Sequence, residues 1–115
     1  MTSFGYDCTL VPPGTVVTAS GLGSAVPVIN KDQFRGQSAV SAVSGTSPSI
    51  TVSVQTSHDA GATDTWRTVA SFTAQTAVGT SAWQDFVGLD RYVRAAWSVS
   101  GTTPSITFGV VGEAV

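Results

Sequence analysis

The chain is one domain of 115 residues with a formal net charge of −2; charged residues make up 10% of it and hydrophobic residues 42%, where a soluble domain ordinarily carries about 25% charge. Five basic residues, scattered at Lys31, Arg35, Arg67, Arg91 and Arg94, exclude the clustered cationic surface that nucleic acid requires. The single cysteine, Cys8, excludes an internal disulfide, and with Asp7 beside it it reads as a small core residue and not a reactive thiol.

In chain order, Met1–Gly14 holds two prolines and no alternation, and is set apart as an N-terminal arm or a loose terminus, with 15–115 as the folded domain. The start Met1-Thr2-Ser3 has no basic residue and Asp7 interrupts any apolar run, so no signal peptide is expected. Cys8 to Asn30 is uncharged, but Pro12, Pro13, Gly14, Gly21, Gly23 and Pro27 forbid a continuous apolar helix, so no membrane span is expected. No segment carries a 3.6-residue apolar period. Alternation of period two, punctuated by Gly, Pro, Ser and Asp, predicts eight strands. They fall at Thr15–Ala19, Ala25–Ile29, Ser38–Val43, Ile50–Gln55, Thr65–Phe72, Ala82–Phe86, Tyr92–Val99 and Ser105–Val111. Short, regularly spaced strands predict an all-β antiparallel sandwich of jelly-roll type.

Within this pattern the chain repeats itself. Val43–Thr51 reads VSGTSPSIT and Val99–Thr107 reads VSGTTPSIT, eight matches in nine positions, 56 residues apart (99 minus 43). Gly45 and Gly101 are free to take positive φ, and Pro48 and Pro104 suit a loop better than a central strand. After each proline an alternating stripe follows, Ile50, Val52, Val54 and Ile106, Phe108, Val110. Each copy is expected to be a β-hairpin with the same corner, the two hairpins laying their stripes into one core. Tyr92 and Arg94 give bulk and charge to the second copy only. Trp97, in phase with Val93, Ala95 and Val99, is expected in the core.

Ser57-His58-Asp59-Ala60-Gly61-Ala62-Thr63-Asp64-Thr65-Trp66 resembles the Asp-box turn of sialidase-like propellers, S-x-D-x-G-x-T-W, with two extra residues before the Thr-Trp. It predicts a structural turn in which Asp59 accepts backbone N–H bonds, Gly61 makes the corner and Trp66 plugs the base. His58 is the only histidine and has no companion for a metal site, although Asp59, Asp64 and carbonyls are the oxygen type that calcium takes. No G-x-S-x-G stretch supports a serine triad, and no two of the seven carboxylates stand out as a glycosidase pair. A binding protein without cofactor or metal is expected, not an enzyme. Trp66 and Trp83, each following a polar loop, are candidate sugar-stacking surfaces. Arg91, Tyr92 and Arg94, on the turn into the strand from Tyr92, are candidate contacts to a partner, and a surface pair of Arg94 with Asp90 or Asp85 is expected there.

Four phrases carry a family resemblance: Thr51-Val-Ser-Val-Gln-Thr-Ser, Trp66-Arg-Thr-Val-Ala-Ser-Phe, Gly88-Leu-Asp-Arg-Tyr-Val-Arg and Val99-Ser-Gly-Thr-Thr-Pro-Ser-Ile-Thr-Phe. In these the chain is similar to small structural proteins encoded near the capsid genes of tailed phages of actinobacteria. The resemblance covers residues 15 to 115 and lies in strand-and-turn phrases, and Met1–Gly14 departs from it. It implies a head decoration or minor capsid protein, made in the host cytoplasm and carried on the virion surface. The partners it implies are the major capsid protein and further copies of the chain on the lattice. Low charge and a surface rich in hydroxyls, from fifteen serines and sixteen threonines, suit close packing among copies, where like charges would repel.

Overall fold

A computed structural model describes residues 5–115, so Met1–Phe4 of the N-terminal segment lie outside the described residues. Among the described residues there is no helix, and nine strands form one antiparallel sheet. The strands are β1 (Tyr6–Asp7), β2 (Val11–Val17), β3 (Gly21–Leu22), β4 (Val26–Pro27), β5 (Gln33–Ser57), β6 (Arg67–Ser71), β7 (Gly79–Thr80), β8 (Gln84–Val87) and β9 (Tyr92–Ala114). The all-β antiparallel class expected from the alternation is what the chain adopts.

The frame is a two-stranded ribbon of β5 and β9, paired from Phe34↔Ala114 to Ser57↔Tyr92. The short strands line its edges: β1, β2, β3 and β4 pair with β9, and β6, β7 and β8 pair with β5. Every pairing thus joins a residue of 5–57 to a residue of 67–114. Residues 6–17 belong to this frame: β1 and β2 pair with β9, and between them Cys8 N donates to Gly112 O and Leu10 N to Val110 O, each 2.9 Å.

The repeat behaves differently from the expected pair of hairpins. Each copy lies in the middle of an uninterrupted strand, and the copies pair with each other: Val43↔Ile106, Ser44↔Ser105, Thr46↔Thr102, Ser49↔Ser100 and Ile50↔Val99. The physical reason is that Gly and Pro here create bulges, which bend a strand without reversing it. Between Ser44 and Thr46 an extra residue sits on β9, and between Thr46 and Ser49 an extra residue sits on β5. The two bulges are related by a local two-fold axis. Gly45 and Gly101 have φ of 107° and 116°, and Ser47 and Thr103 have φ of 49° and 46°. A Cβ on Gly45 would lie 2.6 Å from Thr103 O, and one on Gly101 would lie 2.8 Å from Ser47 O. Adding 56 to the residues around one glycine gives those around the other.

Bulges also explain which face each strand buries, because one inserted residue moves the following side chains to the opposite face. β5 carries two insertions, the second at Ser41 between Val40 and Ala42, so its buried residues are even-numbered at both ends: Phe34, Ser38 and Val40, then Ile50, Val52, Val54 and Thr56. β9 carries one, and its buried positions switch from Val93 and Ala95 to Ile106, Phe108, Val110 and Ala114. Both predicted stripes enter one core. Beyond the bulges the sheet curls back on itself. Phe86 of β8 meets Phe34 at 5.9 Å and, across the curl, Phe72 at 5.0 Å edge-on. Trp97, expected in the core, is half-buried at its margin, where it packs edge-on at 5.4 Å against Phe108 from the opposite end of β9. The molecule measures 43 × 36 × 19 Å.

Candidate functional site

The loop between β5 and β6 is built as its Asp-box likeness predicts. Asp59 accepts bonds from Thr63 N at 2.9 Å, from the Thr63 hydroxyl, and from Asp64 N at 3.0 Å. Gly61 turns the corner at φ 83°, and its N–H donates to Ser57 Oγ at 2.9 Å. Trp66 lies so close over Gly61 that a Cβ there would stand 2.5 Å from the indole nitrogen. Asp64 Oδ2 is taken up by His58 N–H at 2.8 Å, so the carboxylates that calcium would need face their own loop. No group of three metal-ligating side chains is found among the described residues.

Hydrogen bonds from the Thr63 hydroxyl, foremost, and from the Asp64 N–H hold the Asp59 carboxyl down to about 2. Because this folded value lies below the usual ~3.9 of an aspartate, the turn's contribution to stability is present above that ordinary value and is lost as pH falls towards 2. A carbon NMR titration of the Asp59 carboxyl is expected to show a midpoint near 2. Thr63→Val, which removes the hydroxyl donor, is expected to move it up towards the ordinary range. A wild-type midpoint in the ordinary range would contradict the hydrogen-bond pattern.

The candidate partner residues separate into three places. Arg94 does not pair with Asp90 or Asp85. Its guanidinium lies 4.3 Å from the centre of the Trp66 ring and its Nε donates to Gln55 Oε1 at 2.8 Å. Burial lowers its pKa from the usual arginine value. Asp90 is bridged instead by Arg67 at 3.4 Å and Asp85 by Arg35 at 3.2 Å, surface pairs that contribute less than about 1 kcal/mol each. Trp66 is therefore half-buried beneath Arg94, with the indole face needed for sugar stacking occupied. Arg91 is exposed and Tyr92 half-buried. They line a recess of about 370 Å³ with Pro27–Asn30. This corner is anchored from inside: the buried Thr56 hydroxyl donates to Tyr92 O at 2.8 Å and accepts from Asp90 N at 2.7 Å.

Trp83 stands apart from the others, 56% exposed, beside an open cleft of about 600 Å³ lined also by Asp7, Arg35, Val111, Gly112 and Glu113. The register sets Asp7 opposite Glu113, Glu113 opposite Arg35 and Arg35 opposite Asp85. Four charged residues thus stand abreast on β1, β9, β5 and β8, with two like charges, Asp7 and Glu113, directly opposite each other, an arrangement that costs stability in a sheet. Sequence reasoning found Trp83 and missed its companions. They are up to 106 residues apart (113 minus 7), and only the register brings them together. No family model and no curated protein matches this chain.

Proposed function

We propose that the chain is a structural protein of a tailed-phage virion that docks in many copies on the exterior of the assembled head and stabilises it. The observation that supports this best is the composition of its surface. Tyr6, Val16, Leu22, Ile29, Val78, Trp83 and Val87 are all more than a third exposed, on a chain with only five basic and seven acidic residues. Exposed apolar side chains on a surface this sparse in charge suit the core of a protein–protein interface. The curled sheet, whose inner faces meet at Phe72 and Phe86, is consistent with the jelly-roll-like sandwich that this reading includes. The partners are the major capsid protein and neighbouring copies of the chain, with the exposed Arg91 a candidate contact.

The mechanism is linkage, not turnover. A protein that binds only the assembled lattice stabilises it at each site by RT ln(1 + [L]/Kd), about 2.7 kcal/mol at a hundredfold excess over Kd. Purified protein mixed with heads assembled without it is expected to co-sediment to saturation and to raise the temperature at which those heads rupture. No co-sedimentation would overturn the reading. Binding at only a handful of sites per particle would assign the chain to the neck or tail of the same virion.

A further inference from the structure

The three tryptophans are treated differently by the fold. Trp66 is covered by Arg94 and Trp97 packs on Phe108, whereas among the described residues no ring or guanidinium stacks on Trp83. The residue is 56% exposed, and it borders an open cleft of about 600 Å³, within the range of small-molecule sites, roughly 300–1,000 Å³. The other wall is polar. Arg35, held by Asp85 at 3.2 Å, stands beside Glu113, and Glu113 beside Asp7.

The chemistry of these groups selects a ligand class. Two carboxylates, Asp7 and Glu113, line the cleft, and its one guanidinium is already paired with Asp85, so phosphate, sulfate and carboxylate ligands are repelled. A purely apolar ligand would bury the charged wall without compensation. A neutral sugar satisfies both sides: one face of a pyranose presents C–H groups suited to an indole, and its hydroxyls donate to carboxylates and accept from a guanidinium. We propose that the Trp83 cleft is a binding subsite for a neutral glycan, with a sugar ring stacked on Trp83 and its hydroxyls held by Arg35, Glu113 and Asp7. This subsite does not depend on docking to a phage head, and its test requires no capsid.

The test is a titration of the purified chain with cellohexaose, xylohexaose, mannohexaose and chitohexaose, followed by tryptophan fluorescence and by heat of binding. Hexalysine serves as the cationic comparison. Saturable binding of at least one of the sugars is expected, with Kd tighter than about 1 mM. Trp83→Ala is expected to weaken it at least about tenfold, with an unchanged thermal midpoint because the side chain is exposed. Trp83→Phe, which keeps a stacking face, retains part of the affinity. The proposal is overturned if none of the four sugars binds, if their binding is the same in Trp83→Ala, or if hexalysine alone binds in a Trp83-dependent way.

Discussion

Phe86→Ala is expected to lower the thermal midpoint by roughly 12–20 °C, at about 4 °C per kcal/mol for a chain of this size. Phe86 is 1% exposed and is the ring on which the curl closes, touching Phe34 on its own side of the sheet and Phe72 on the facing side. Truncating such a residue removes its transfer free energy and leaves a cavity, together about 3–5 kcal/mol. Against a total stability of about 5–15 kcal/mol, that brings the domain close to unfolding at growth temperature. Circular dichroism during heating measures it. Trp83→Ala, three residues away on the exposed face, is the comparison and should cost less than about 1 kcal/mol. Equal effects of the two substitutions would mean that the curl is not closed by Phe86.

The second large effect is expected at the glycines of the repeat. Gly45→Ala and Gly101→Ala should each destabilise by about 3 kcal/mol or more, and by nearly the same amount. Their φ values of 107° and 116° lie well beyond the left-handed helical region that other residues visit, at a cost of order 1–3 kcal/mol. The new Cβ would in addition meet a backbone carbonyl oxygen at 2.6 Å or 2.8 Å, and backbone of the partner strand cannot rotate away as a side chain can. Gly14→Ala separates the two causes. Gly14 has φ 92° but nothing within 4 Å of a Cβ, so its substitution carries the backbone cost alone. Denaturant titration of the three variants measures the difference. Clearly unequal costs at Gly45 and Gly101 would show that the local two-fold axis is not energetic as well as geometric.

Local chemistry was readable from the residues, and long-range pairing was not. The stripes Ile50–Val52–Val54 and Ile106–Phe108–Val110 are buried as their alternation requires, because period two is a property of the strand itself. The Asp59 turn formed as expected because all its bonds lie within ten residues. The repeat reads as two hairpins in the sequence because Gly and Pro mark both turns and bulges. Only the pairing partner distinguishes them, and the partner of each copy is the other copy, 56 residues away. Trp66 and Trp83 look alike in sequence, each at the end of a polar loop. Arg94 reaches Trp66 across the sheet, whereas no ring or guanidinium among the described residues stacks on Trp83, and no spacing rule reports that. The Trp83 cleft was legible only as a lone aromatic residue, since Asp7, Arg35 and Glu113 converge through register.

Because every strand pairing joins residues 5–57 to residues 67–114, a nascent chain leaving the ribosome has no sheet to enter until its second half arrives. β9, which follows all the others in the chain, is the template for five of them. Translation must deliver it before β1–β4 have anywhere to bind, which delays folding and makes it slow, as for other topologies rich in distant contacts. A product cut short before Tyr92 keeps only the pairings of β6, β7 and β8 with β5. Its hydrophobic stripe on β5 then lacks the β9 residues that share its core, which leaves that segment open to proteases.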